Sequence, residues 1–288
     1  MTNDEHPQKQ RYRVPALVQG LSILELFTKD TPRLSATEVA SRLSLPRATT
    51  YRLLGTLEDM RYLQRGEDER YYQLGPALLN RGFEYLATLD VVETAAPTLR
   101  TLRDQTRMSS HMAVRDGTRV VYVSRFPAST TIQGSVQVGT HFPLHATVMG
   151  RMLALDLTEQ ELRELYPEEP LPAFTPLTPQ TVEGFLELLH TDRKRGYAIS
   201  ESFFENGVHA VAAPIRNAEG RVVAAINVTD VSAFIEPEYL RGQIKDRVLE
   251  AVREIERWLP RDSGNQRFSP ASPHSGSSLR HKRAEDAA

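Results

Sequence analysis

The 288-residue chain has no cysteine, which excludes disulfides, thiolate metal sites and a cysteine nucleophile together and suits a reducing cytoplasm. It also lacks any apolar run near the roughly 18 residues that span a bilayer. The polar opening "MTNDEHPQKQRYR" has no secretory core, so a soluble protein with no membrane partner is expected. Charge of one sign is missing too. At a net charge of −2 no global field draws the chain to nucleic acid, so any such binding must come from a local patch. There is no Gly-x-Ser-x-Gly elbow, no phosphate-binding Gly-Lys-Ser/Thr loop and no Gly-x-Gly-x-x-Gly turn. An enzyme is therefore not expected, although catalysis by groups gathered from separated loops would leave no such signature. His111, His141, His145 and His209 are scattered without the His-Glu-x-x-His spacing, so neither a metal nor another cofactor is expected.

What is present begins and ends with polar tails. Residues 1–13 and 260–288 offer too few apolar groups to offset the entropy of ordering, the latter containing "SPASPHSGSS". Its basic group, Arg280 to Arg283, reads as a solvated tail rather than a DNA contact. Between the tails, "ALVQGLSILELF" places Leu17, Leu21, Leu24 and Phe27 at helical spacing. In "LSATEVASRLSL", Ser35 followed by Glu38 is a capping box that starts a second helix. A third, "SLPRATTYRLLGTLEDM", sets Pro46 in its first turn. The segment "YLQRGEDERYYQL" then reads as a hairpin, and together they make a domain over 14–74.

On the third helix Thr50, Leu53, Leu54 and Leu57 share the side that must be buried. Ala48, Arg52 and Gly55 lie opposite, flanked by Thr49 and Tyr51, with Arg47 in the first turn. Small residues permit close approach, while Arg, Thr and Tyr donate to phosphates and base edges. Glu58 and Asp59 would repel phosphate, so only the N-terminal half should enter a groove. A solvated face explains two arginines equally well for the helix alone. The capped helix upstream and the hairpin downstream turn the reading to DNA, with Ser35 and Thr37 as further candidate contacts.

A helix over 75–89, within "PALLNRGFEYLATLDVV", carries Leu79, Phe83 and Leu86 on one side, either a pairing stripe or a domain-core face. From residue 109 strands dominate: "SSHMAVRDG" and "RVVYVSRF" form a hairpin through Asp116 and Gly117, and "GYAIS", "VHAVAAPI" and "VVAAINVT" follow. Helices are expected at 146–156, 158–166 and 179–195, and "PEYLRGQIKDRVLEAVREIERWL" closes a 90–259 domain. No internal repeat is present.

The segments "LVQGLSILELF", "LSATEVASRLSLPRATTYRLLGTLEDMRYLQR" and "YYQLGPALLNRG" resemble the winged helix-turn-helix of the IclR family of bacterial transcription regulators. "VGTHFPLHATVMGRMLALDL" and "KRGYAISESFFENGVHAVAAPIRNAEGRVVAAINVT" resemble the family's effector-domain signatures, and the likeness spans about 14 to 259. It implies an α+β fold: an N-terminal winged helix-turn-helix, a linker helix and a C-terminal GAF-like effector-binding domain. It further implies a homodimer or dimer of dimers that reads pseudo-palindromic operator DNA in the bacterial cytoplasm. Such a dimer would control a catabolic operon in response to a small organic acid, aromatic or sugar-derived, as a repressor released by its effector or as an activator working through RNA polymerase. The wing tip "GEDE" departs by being acidic, which leaves Arg65 and Arg70 at its base as the wing candidates.

Carried over from the family, the effector would be lined by Val148 and Met149, Ser200, Ala210, Asn227 and Thr229. Free N–H groups at the helix start suit a carboxylate, and Asn227 and Thr229, two apart on a strand, point the same way. Asn227 has a second reading, a strand residue satisfied locally in the core. His145 suits a cap or pocket edge, and Glu201 and Glu205 read as solvated charges. An effector-free structural DNA-binding protein is disfavoured, because it would not need so large a second domain.

Overall fold

The computed structural model describes residues 13–128, 136–201, 204, 207–231 and 235–260. Apart from Arg13 and Pro260 the expected tails lie outside the described residues, as do Glu205 and the Glu201 side chain. Two units divide between Thr88 and Leu89.

In the first unit α1 (Pro15–Glu25) opens on a proline, whose missing N–H falls where a helix offers no partner. β1 (Leu34–Ser35) leads into α2 (Ala36–Leu43) through the capping box: Ser35 Oγ accepts from the Glu38 N–H at 3.3 Å, and the Glu38 carboxylate accepts from the Ser35 N–H at 2.8 Å. Ser44, at φ 52°, turns the chain into α3 (Arg47–Asp59). Pro46 is the residue before that helix, not one within its first turn. β2 (Leu63–Arg65) and β3 (Tyr71–Leu74) form the wing, and β1 adds an unanticipated third strand in the antiparallel order β1-β3-β2. Ile23, Phe27, Leu34, Val39, Leu54, Leu63 and Tyr72 make the core.

The apolar stripe of α1 splits: Phe27 is buried, while Leu17 and Leu21 stay 61% and 54% exposed. α4 (Ala77–Ala87) buries nothing in this chain, with Leu79 61% and Phe83 60% exposed. Its stripe is thus not a core face of this chain.

The second unit starts with α5 (Asp90–Thr106), a helix that the sequence pattern does not announce, whose Val91, Ala95, Leu99 and Leu102 are buried despite Pro97 in its interior. Strands β4 (Ser109–Asp116), β5 (Arg119–Phe126), β6 (His141–Pro143), β7 (Ala198–Glu201), β8 (Val208–Arg216) and β9 (Val222–Val231) form one antiparallel sheet in the order β6-β5-β4-β9-β8-β7. Gly117, at φ 55°, makes the tight β4–β5 turn. α5 packs on β4 from one face together with α10 (Lys245–Trp258) on β8. α10 is preceded by α9 (Pro237–Tyr239) and a π-helical turn, Leu240–Ile244, where an unbroken helix is expected from the sequence.

On the other face lie α6 (Val148–Leu153), α7 (Glu159–Leu165) and α8 (Val182–Arg195), each starting later than expected because Thr147, Thr158 and Thr181 cap them with side-chain acceptors. A Cβ on Gly150 would fall 1.8 Å from the Leu144 carbonyl oxygen, so only glycine lets α6 lie this close to the chain before it. Arg151 and Asp192 join α6 to α8 in a buried bidentate pair, Nε–Oδ2 2.6 Å and Nη2–Oδ1 2.7 Å.

Candidate DNA-binding surface and effector site

α3 turns its apolar side inward, with Thr50 and Leu54 buried and Leu53 and Leu57 half-buried, and the Thr50 hydroxyl donates to the Pro46 carbonyl at 3.1 Å. Arg47, Ala48, Tyr51 and Arg52 are consequently exposed, and Thr49 is half-buried beside them. Tyr51 stands 57% exposed, a large ring held in water on a helix that already has a core face.

Both wing arginines have partners within the chain. Arg65 donates through Nε to Glu58 Oε1 at 3.0 Å, through Nη1 to the Glu69 carbonyl at 2.6 Å and through Nη2 to the Tyr72 hydroxyl at 2.8 Å. It is a brace between wing and α3 rather than a free phosphate hook, and it neutralises the Glu58 carboxylate that would repel DNA. Arg70 is paired with Asp68 in the same turn, Nη2–Oδ2 2.8 Å. Ser35 is likewise occupied, its hydroxyl donating to Glu38 at 2.7 Å, whereas Thr37 is exposed.

In the second unit strand register gathers the expected effector residues. Ser200 faces Ala210, Ala210 faces Thr229, and Asn227 lies between Ala212 and His111, so all share one sheet face. α6 packs on that face at β7, β8 and β9, bringing Val148 and Met149 to it. The residues converge, and most of them are shielded from solvent. Val148, Met149, Ser200, Ala210 and Asn227 are buried, and only Thr229 is half-buried. The Gly150 N–H at the helix start already binds the Thr147 hydroxyl at 3.0 Å.

Asn227 is satisfied locally. Its Oδ1 accepts from His111 Nδ1–H at 3.1 Å, its Nδ2 donates to Thr229 Oγ1 at 2.9 Å, and the amide also meets the Tyr122 hydroxyl. Burial holds the His111 pKa down to about 4, so the ring is neutral at physiological pH. Burial likewise raises the Tyr122 pKa, keeping a neutral hydroxyl in the group. Arg125 stands opposite His111 in the β4–β5 ladder, close enough to oppose its protonation, and donates to the Gln137 amide at 3.2 Å. Sequence reasoning misses His111, Tyr122 and Arg125 as site residues, because only the long-range register joins them to Asn227. In the sequence His111 is only one of four scattered histidines without metal-ligand spacing.

A separate cavity of about 280 Å³ opens near the β4–β5 turn, walled by Arg119, His141, Phe142, His145, Tyr166 and Pro172. None of the six expected effector residues lines it. His145 hydrogen-bonds the Pro172 carbonyl through Nε2 at 2.9 Å.

Residues 83–257 match the model for the bacterial transcriptional regulator IclR C-terminal domain, and residues 16–67 match the IclR helix-turn-helix domain. The p-hydroxybenzoate hydroxylase transcriptional activator of Acinetobacter baylyi is 31% identical over 247 residues, 84% of this chain and 90% of that protein. The HTH-type transcriptional repressor AllR of Escherichia coli is 28% identical over 240 residues, 83% and 88% of the two chains. A solved transcriptional regulator from Rhodococcus sp. RHA1 superposes with a TM-score of 0.74 at 30% identity, covering 85% of this chain and 98% of its own.

Proposed function

The chain belongs to the IclR family of bacterial transcription regulators, and on that premise we propose that its α3 face reads operator DNA under the control of a small organic acid. The observation that carries this reading is the exposed N-terminal half of α3, where Arg47, Tyr51 and Arg52 flank Ala48 beside a wing that has already neutralised Glu58. Arg47 and Arg52 supply phosphate and base-edge donors, with Thr37, Thr49 and Tyr51 as polar contacts. Arg65 positions the wing.

The apolar faces of α1 and α4 are the proposed contacts of a homodimer. Leu17, Leu21, Leu79 and Phe83 gain by leaving water, and pairing sets the spacing of two recognition helices. The dimer then reads a pseudo-palindrome with half-sites about one helical turn apart or a multiple of it.

The effector seats on the sheet face at Ser200, Ala210, Asn227 and Thr229 under Val148 and Met149. To enter, it replaces the Asn227 contacts to His111 and Thr229, and its carboxylate meets Arg125. An effector that favours this opened state shifts the population between DNA-competent and incompetent forms. The name of the Acinetobacter relative supports aromatic acids as the first class to test, and the two relatives bear opposite signs, activator and repressor. We favour a repressor released by its effector, the simpler mechanism.

The test is a gel-shift on DNA upstream of its own and the adjacent genes, with and without aromatic and sugar acids. A shift abolished by one compound supports the effector-released repressor. A shift that a compound strengthens reverses the sign, and no shift at low salt overturns the reading of α3.

A further inference from the structure

The cavity near the β4–β5 turn has unfilled polar capacity. His145 is 2% exposed, and its Nε2–H donates to Pro172, which leaves Nδ1 as a bare acceptor. That Nδ1 has no partner, and the buried hydroxyl of Tyr166 makes no hydrogen bond of good geometry. The His145 backbone N–H lies near that hydroxyl but can only donate, so the Tyr166 proton is left without an acceptor. The two rings meet edge to face with centroids 5.7 Å apart, and both line the cavity. Buried polar atoms in native proteins are nearly always paired, so two orphans in one wall indicate an occupant.

Its chemistry follows from the wall. A hydroxyl is the group that donates to His145 Nδ1 and accepts from the Tyr166 O–H at once. The volume of about 280 Å³ far exceeds the share of one water, about 30 Å³. Phe142 and Tyr166 offer ring faces and edges to a flat apolar body. At the exposed rim Arg119 presents a guanidinium that pairs with no carboxylate among the described residues. Phe142 and Tyr122, in edge contact at 5.7 Å, stand between this cavity and the Asn227 group.

We propose that this cavity is a second ligand site, distinct from the sheet-face site, that takes a one-ring phenol carrying an anionic group, with its hydroxyl on His145 and Tyr166 and its anion on Arg119. It does not depend on the operator or on the sheet-face effector.

Calorimetric titration of the full chain with 4-hydroxybenzoate and with benzoate tests it, using wild type, Tyr166→Phe, Arg119→Gln and Thr229→Ala. Wild type should bind 4-hydroxybenzoate at least tenfold more tightly than benzoate. Tyr166→Phe should lose about tenfold for the phenol alone, Arg119→Gln should weaken both acids, and Thr229→Ala, which strikes the sheet-face site, should leave the preference for the phenol over benzoate intact. The melting temperature of Tyr166→Phe should equal or exceed that of wild type, because a hydroxyl whose proton lacks an acceptor has been removed. The proposal is overturned if 4-hydroxybenzoate does not bind, if benzoate binds equally, if Tyr166→Phe binds like wild type, or if Thr229→Ala removes the phenol preference.

Discussion

Replacing Asp192 with alanine should destabilise the second unit more than any surface substitution. The carboxylate is fully buried, the Arg151 side chain is 5% exposed, and the two share a bidentate pair at 2.6 and 2.7 Å. At such burial solvent screening is slight, and removing Asp192 takes a bidentate carboxylate from a buried guanidinium. Breaking a buried pair in this way costs about 3–5 kcal/mol. Alanine is the better helix former, but its gain of at most about 0.7 kcal/mol per residue offsets little of this. For a domain of this size 1 kcal/mol moves the melting temperature by about 2–4 °C, so a fall of roughly 6–20 °C is expected. The double variant Arg151→Met, Asp192→Leu should recover most of the loss, since packed apolar groups often replace a buried pair without penalty. Differential scanning fluorimetry on Arg151→Met, on Asp192→Leu and on the double completes the cycle. A single-variant fall below about 2 °C would show that the charges are not dry. A double variant as unstable as the singles would locate the energy in packing, not charge.

The remaining predictions concern pH, DNA and assembly. His111 keeps its proton only below about 4 when folded, against 6.5 for an ordinary imidazole. The unfolded chain therefore binds the proton first as pH falls, and about 3 kcal/mol of stability present above pH 6.5 is lost on the way to pH 4. Urea unfolding should show a smaller acid loss in His111→Gln, and an equal loss would remove His111 from the account. Arg52→Ala should weaken operator binding by about 1–3 kcal/mol, roughly 5- to 150-fold, without moving the melting temperature. Fluorescence anisotropy across salt concentrations checks it, and an unchanged Kd would return α3 to an ordinary solvated face. Phe83→Glu should shift the chain toward monomer in analytical ultracentrifugation, whereas a dimer of wild-type strength would move the interface elsewhere.

Signals that act within a few residues are legible in the order of amino acids alone. The Ser35–Glu38 capping box starts α2, and Gly117 marks the β4–β5 turn to within a residue. The face of α3 follows from helical spacing because Thr50 and Leu54 have no other side to bury. α5 escapes such reading because Pro97 argues against a helix interior; here the surrounding burial of Ala95, Leu99 and Leu102 overrides that local preference. The Arg65 brace escapes it because the bond joins residues seven apart across two elements, and the His111–Asn227 bond because it spans 116 residues. Neither distance leaves a mark on composition or period. The helix at 75–89 carries two readings in the sequence, and the exposure of Leu79 and Phe83 removes the one that buries them in their own chain.

The close approach of Gly150 to Leu144 bears on how this protein can change over generations. A side chain at position 150 collides with backbone, which cannot swing aside, so drift at that position is closed. The two positions before it carry buried side chains that face the proposed effector. A lineage moving to a new metabolite would therefore vary at Val148 and Met149 around a fixed pivot, and selection for altered inducers should recover substitutions there and none at 150.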